Sequence, residues 1–314
     1  MYTALIIGCG NIGAMYDFET ESILTYAKAF HLDPEITFAV YDTDHQIAEK
    51  VAQRYQVQYL EVLDPATYNR YDIIAICTPT PSHFDYLSKM LVHGPKLVIC
   101  EKPVDSDQIK LEKVVRLYNK SKSKVLVNFF RRFQPGIIQL RKDINDALAE
   151  EICTNIVVSY QRGFHNNASH AIDLLEYFFG TTFDLSAAQV NHKTSDEFDT
   201  DPTMSVFCFW NGVNVQFIGL SNVEFSHFDI AIYFTSQAVF LKDGGNEVEW
   251  FATTSKCGRF YPKLKLRSRQ TEVVSNYMNN VVSHAKLLLD GIEEASNFLD
   301  SVSISQRILK LQRR

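Results

Sequence analysis

The stretch Ala4-Leu5-Ile6-Ile7-Gly8-Cys9-Gly10-Asn11-Ile12-Gly13 decides the fold. An apolar run near the start of the chain ends in Gly-x-Gly-x-x-Gly. This order predicts a buried parallel strand, a tight turn and a helix whose N-terminal amides can face a pyrophosphate. Gly8 permits the turn, Gly10 lets the backbone approach phosphates, and Gly13 lets the helix pack close to the strand. Asn11 and Ile12 lie inside the turn and complete the cofactor-facing set. The glycine pattern alone is a weak signal. It becomes strong when a βαβ unit surrounds it and an acidic residue follows the second strand.

Ile36-Thr37-Phe38-Ala39-Val40-Tyr41 reads as that second strand, and Asp42 follows at once. A carboxylate there accepts hydrogen bonds from adenosine ribose hydroxyls and repels a 2′-phosphate, so NAD is expected rather than NADP. The spacing from Gly13 exceeds the usual ~20 residues. The excess sits in Tyr16–Thr25, which carries Asp17, Glu19 and Glu21 and is expected to be an inserted loop near the cofactor mouth. The structural alternative for Asp42 is a solvated residue ahead of the helix Gln46–Tyr55, with Thr43 or Asp44 as its cap.

Composition narrows the remaining classes. The chain has 314 residues, 46% of them hydrophobic and 22% charged, enough for one large domain or two ordinary ones with full cores. With a net charge of −6 and no extended basic cluster, a nucleic-acid partner is not expected. No apolar run approaches the ~18 residues of a membrane span, and no signal peptide is read at the N-terminus. The six cysteines are Cys9, Cys77, Cys100, Cys153, Cys208 and Cys257. Their spacings suit neither a metal site nor a disulfide framework, so they are expected to be small apolar residues in a reduced cytoplasm.

Strands and helices alternate through the first 123 residues. Tyr71–Cys77 and Lys96–Cys100 read as buried strands, His83–Val92 and Ser106–Ser121 as helices, and Lys124–Asn128 as a further strand. The pattern predicts a parallel, doubly wound α/β sheet of the Rossmann type. After a helix at Gly136–Leu148 the texture changes. Asn155–Tyr160, Ser205–Trp210, Val213–Leu220, Asp229–Thr235 and Ala238–Leu241 have β character, and Asn211-Gly212 is a hairpin signal. Helices are expected at Glu272–Asp290 and Ser301–Leu311. The reading is a dinucleotide-binding domain over 1–123. An α+β substrate-binding and oligomerisation domain with a large, mostly antiparallel open sheet follows over 124–314. A ligand is expected between them, at the carboxyl ends of the parallel strands.

Three segments carry candidate chemistry. Thr78-Pro79-Thr80-Pro81-Ser82-His83 follows a strand where the nicotinamide side of a dinucleotide would pass, although Ser82 also suits an ordinary helix cap. Glu101-Lys102-Pro103 follows the next strand. The Lys102 ammonium is placed to hold a substrate hydroxyl and stabilise an alkoxide, while a surface Glu–Lys pair is the plain alternative. The helical stretch Asn166–Gly180 puts Asn166 and His170 on one face, with Asp173 one turn on. His170 can accept a hydroxyl proton; alone, it is as well explained as a packed histidine.

Taken in order, Gly8-x-Gly10-x-x-Gly13, Asp42, Thr78-Pro79…His83, Glu101-Lys102-Pro103, Arg132-Phe133-x-Pro135 and Ser169-His170-x-x-Asp173 resemble the Gfo/Idh/MocA family over the whole chain. The resemblance implies a nicotinamide-dependent sugar or polyol oxidoreductase, with Lys102 and His170 catalytic. It also implies assembly into a homodimer or homotetramer through the open face of the second sheet. Asn166 stands where the family usually has an aspartate. It is expected to touch substrate alongside His165, His170 and Asp173, and its loss of a carboxylate puts the proton relay in question. A non-catalytic NAD(P) sensor is the competing class, and a same-fold reductase of a non-sugar carbonyl or imine is a third. Arg162 and Arg131–Arg132 are further candidates to meet a substrate phosphate.

Overall fold

The computed structural model describes residues 1–254, 262–292 and 296–314, which form two compact units. One comprises Met1–Phe133 and Asn276–Gln306, the other Gln134–Ser275 and Arg307–Arg314. This division falls after Phe133, whereas the sequence predicts a boundary after residue 123. Lys124–Val127 pairs in parallel with Leu97–Cys100 and completes the first sheet. The helix Tyr277–Leu289 also joins the first unit, burying Met278, Val281, Val282, Ala285 and Leu288 in its core.

The first sheet has the parallel order β3-β2-β1-β4-β5-β6. Its strands are β1 (Tyr2–Ile7), β2 (Ile36–Tyr41), β3 (Gln58–Tyr59), β4 (Ile73–Ile76), β5 (Leu97–Cys100) and β6 (Lys124–Val127). Ala4–Ile7, Ile73–Ile76 and Leu97–Cys100 are fully buried, as a sheet covered on both faces requires. The order reverses between β1 and β4, which creates a switch-point crevice at the carboxyl edge. The connecting helices are α1 (Tyr26–Leu32), α2 (His45–Tyr55), α3 (His83–His93) and α4 (Gln108–Tyr118). Asp44 caps α2 by accepting the amides of Gln46 and Ile47. The Ser82 side chain does not cap α3; its hydroxyl donates to the Pro79 carbonyl at 2.8 Å and lies 2.7 Å from the Thr78 hydroxyl.

The glycine turn opens a single five-residue π-turn, Asn11–Met15, rather than a long helix. The crossover helix α1 starts only after Thr25. Between them Asp17 is fully buried, and its carboxylate accepts from the Leu24 amide and from the amide and hydroxyl of Thr25. The Lys28 ammonium donates to the carbonyls of Asp17 and Thr20. Asp17 therefore fastens the insertion internally, while Glu19 and Glu21 are exposed.

In the second unit the sheet order is β14-β13-β12-β11-β7-β10-β9-β8. Its strands are β7 (Cys153–Tyr160), β8 (Gln189–Thr194), β9 (Thr203–Trp210), β10 (Val213–Gly219), β11 (Phe228–Phe234), β12 (Gln237–Lys242), β13 (Glu247–Thr253) and β14 (Leu264–Gln270). Pairing is antiparallel except between β7 and β10. Along β10, Val213, Val215 and Phe217 are buried while Asn214, Gln216 and Ile218 face outward. Helices α5 (Pro135–Glu150) and α6 (Ser169–Phe179) belong to this unit. At the hairpin, Asn211 and Gly212 have φ of 50° and 85°, the double positive φ that Asn-Gly accommodates. The sequence reading did not include β8, β13 or β14. Strand β14 is exposed along its whole length and so lacks the alternation that betrays a half-buried strand.

After α7 (Tyr277–Leu289), α8 (Phe298–Gln312) closes the chain. Among the described residues no helix is long and apolar enough to cross a membrane. Cys9, Cys77, Cys100, Cys153 and Cys208 are free and buried; Cys257 lies outside the described residues.

Candidate cofactor and active site

Register assembles the first unit's site. Ile7 pairs with Tyr41 and Ile76, Ile76 with Cys100, and Cys100 with Val127. The next residues of the strands (Gly8, Asp42, Cys77-Thr78, Glu101-Lys102 and Asn128) therefore leave the sheet at one edge. A cavity of about 700 Å³ opens there. Gly8, Gly10, Asn11, Ile12, Asp42, Thr78 and Pro79 line it, as do Tyr16, Tyr41 and Tyr86, which the sequence reading left without a role. Tyr86 lies in the first turn of α3, off the buried stripe of His83, Leu87, Met90 and Leu91.

The three glycines do different work. Gly8 has φ +96°, and a Cβ on it would lie 2.8 Å from the Cys77 carbonyl carbon. A Cβ on Gly13 would lie 2.0 Å from the Gly8 carbonyl oxygen, so Gly13 is required by packing and does not itself line the cavity. A Cβ on Gly10 would meet nothing within 4 Å. Packing within the protein therefore does not require glycine at position 10.

Asp42 is fixed as well as placed. One carboxylate oxygen accepts the Cys9 amide at 2.6 Å and the other the Asp44 amide at 2.9 Å. Burial, with the Asp42 charge second, pushes the Cys9 thiol up to about 12, so this thiol stays protonated and inert.

Half-buried Glu101 is the centre of a hydrogen-bond network. Its Oε1 accepts from the Tyr26 hydroxyl at 3.0 Å and from Asn128 Nδ2 at 2.6 Å. Burial raises its pKa above the usual carboxylate value, against the opposing pull of Asn128, the Lys102 charge and Tyr26. Tyr26 is itself raised by burial and by the Glu101 charge. Lys102 is half-buried and joins Pro103 through a cis peptide bond. His83 is buried and is not a lining residue. Its ring nitrogens lie 2.8 Å from the Pro103 carbonyl and 2.7 Å from the Thr78 carbonyl, so it braces the two loops that follow β4 and β5. Burial holds its pKa below the ordinary value despite both carbonyls.

In the second unit, a five-residue π-turn, Phe164–Ala168, carries His165 and Asn166 and leads into α6 with His170 and Asp173. His165, His170 and Asp173 are buried, and His170 meets Phe228 edge-on with centroids 6.4 Å apart. No asparagine caps this helix: the Asn166 side-chain amide donates to the Arg162 carbonyl at 3.1 Å. The start of the preceding π-turn is instead held by Asp201, whose carboxylate accepts the amides of His165 at 2.8 Å and Asn166 at 2.7 Å. Asp201 is another residue the sequence reading missed. The Arg162 guanidinium is paired with Glu197 at 2.6 Å, and Arg131 lies over the Phe130 ring.

A doubly wound sheet with a glycine cradle and an acidic residue after β2 defines a Rossmann-type dinucleotide-binding protein. Residues 2–129, less than half of the chain, match the model of the Gfo/Idh/MocA oxidoreductase family, described as having an NAD-binding Rossmann fold. Inositol 2-dehydrogenase of Rhizobium meliloti (strain 1021) is 30% identical over 149 residues, which is 47% of this chain and 42% of that relative. The match thus spans less than half the length of the curated relative. GenD2 from gentamicin A biosynthesis, solved in complex with NAD, has a TM-score of 0.76 at 15% identity, covering 99% of this chain and 92% of GenD2. KijD10, a 3-ketoreductase from Actinomadura kijaniata solved with NADP and TDP-benzene, has a TM-score of 0.74 at 13% identity, covering 98% and 96%. At these identities the likeness is one of fold, and it extends through both units.

Proposed function

We propose that this protein is a nicotinamide-dependent oxidoreductase that moves hydride between NAD and a secondary hydroxyl or carbonyl of a sugar, polyol or sugar derivative. The carrying observation is the open space beside Gly10 in a cavity that Asp42 also lines. The residues present fit a dinucleotide. The Gly8–Gly13 backbone would take the pyrophosphate, Asp42 would accept from the adenosine ribose, and Thr78, Pro79, Glu101 and Lys102 would border the nicotinamide side. A carboxylate at the ribose position disfavours a 2′-phosphate and so NADP.

When bound, the nicotinamide ring supplies the hydride acceptor or donor. The chain's own residues do the rest. The Lys102 ammonium donates to the substrate oxygen and stabilises its developing negative charge. His170 Nδ1 or Nε2 takes the hydroxyl proton, with Asp173 orienting the ring. His165 and Asn166 bind neighbouring hydroxyls. The inositol 2-dehydrogenase relative supports a polyol-like substrate. The outward face of the second sheet exposes Phe209, Ile218, Leu264 and Leu266, which supports a homodimer or homotetramer built on that face. The reading places the protein in the cytoplasm, where buried free thiols stay reduced.

A second reading, a dinucleotide-binding sensor without turnover, is favoured by one observation. The Asn166 amide donates to the Arg162 carbonyl, a bond no carboxylate could make. Fluorescence titration with NADH and NADPH, followed by an inositol and polyol screen, tests both. The enzyme reading expects NADH to bind much more tightly and a polyol to reduce NAD. Binding without turnover supports the sensor, and binding of neither cofactor refutes both.

A further inference from the structure

Four consecutive amides open the π-turn that leads into α6, those of Gly163, Phe164, His165 and Asn166, and each is taken up by one short segment, Asp201-Pro202-Thr203. Gly163 N–H donates to Thr203 Oγ1 at 2.9 Å and Phe164 N–H to the Pro202 carbonyl at 3.0 Å. His165 and Asn166 each donate to a different oxygen of the Asp201 carboxylate. A helix start leaves such donors without intrahelical partners. Here they are satisfied by residues some 35 positions away in sequence. The fit is close: Gly163 has φ +82°, and a Cβ on it would lie 2.2 Å from Asp201 Oδ2. The same carboxylate accepts Gln312 Nε2, from the last residue of α8, at 2.7 Å.

We propose that Asp201 is a positioning residue for the turn that presents His165, Asn166 and His170, with Gln312 as its latch. Its two oxygens set the spacing of the His165 and Asn166 amides and so the angle at which the turn enters α6. Because its carboxylate occupies the amide end of this turn, that end is closed to a substrate phosphate, and recognition of an uncharged polyol falls to the side chains. The kinetic part of this proposal rests on the oxidoreductase reading; the structural part does not.

The test is Asp201→Asn, which keeps the shape but turns one acceptor into a donor facing a donor. Amide hydrogen exchange across residues 163–170 is expected to quicken at least tenfold. The NADH dissociation constant stays within twofold. With a polyol substrate kcat falls at least tenfold, counted per NADH-binding site so that unfolded protein does not contribute. Gln312→Ala loses only the latch and is expected to change exchange and kcat two- to fivefold in the same directions; it decides the matter if Asp201→Asn does not fold. Unchanged exchange in the folded variants overturns the proposal. Quickened exchange with unchanged kcat overturns the catalytic part. If wild-type protein turns over no polyol, the oxidoreductase reading falls, and the exchange data still judge Asp201.

Discussion

Replacing two glycines of one motif by alanine separates stability from binding. At Gly13 the new Cβ falls 2.0 Å from the Gly8 carbonyl oxygen. Reaching even 3.0 Å requires the β1 turn and the π-turn to move apart by about 1 Å. Overpacking of this kind costs on the order of 3 kcal/mol, which lowers Tm by roughly 6–12 °C in a domain of this size. At Gly10 the backbone has φ −70° and ψ −154°, which alanine adopts freely, and the Cβ meets nothing within 4 Å. Gly10→Ala is therefore expected to leave Tm unchanged or raise stability by about 0.4–1 kcal/mol through the unfolded chain. Its methyl projects into the space proposed for the pyrophosphate, so NADH affinity falls at least ~30-fold, about 2 kcal/mol. Thermal unfolding and NADH fluorescence titration of the two variants read both quantities. If Gly10→Ala binds NADH like the wild type, the cavity is not a phosphate cradle. An unchanged Tm for Gly13→Ala refutes the packing argument.

Asp42→Ser removes the repulsive carboxylate and the acceptor of the Cys9 amide; titration is expected to show NADH binding weakened ~10-fold or more and NADPH binding strengthened. Lys102→Ala is expected to lower kcat by at least ~100-fold with NADH affinity within twofold; retained turnover removes Lys102 from the chemistry. Glu151 tests pH dependence in the second unit. Burial raises its pKa, but hydrogen bonds from Ser236, Gln237 and Thr235 outweigh this and hold it below 4.5. A depressed carboxylate stabilises the fold above its unfolded pKa, and that stabilisation is lost as pH falls. Glu151→Gln should therefore cost about 2 kcal/mol at pH 7 and progressively less as the pH drops below 4.5, as thermal melts at both pH values will show.

Where the cause is local, the sequence was legible. The glycine turn, Asp42, the Asp44 cap and the Asn211-Gly212 hairpin depend on neighbours a few residues apart, and the alternation along β10 is periodic. The exposed strand β14 carried no period to read. Ser82 and the asparagines before α6 have the right chemistry for caps, yet the hydroxyl turned elsewhere and Asp201, distant in sequence, holds the turn ahead of α6. The acidic insertion was visible, but not that Asp17 would be buried inside it.

The sequence by itself determined a parallel sheet with a glycine cradle, an acidic residue after its second strand and a mostly antiparallel second half. It did so because strand period and turn chemistry are written in adjacent residues. Only the tertiary structure decided how those residues are held. Tyr26 and Asn128 reach Glu101 across 75 and 27 positions, and Asp201 reaches Asn166 across 35. Hydrogen bonds between segments so far apart depend on where the sheet edges and helix ends converge, and no local pattern encodes that convergence.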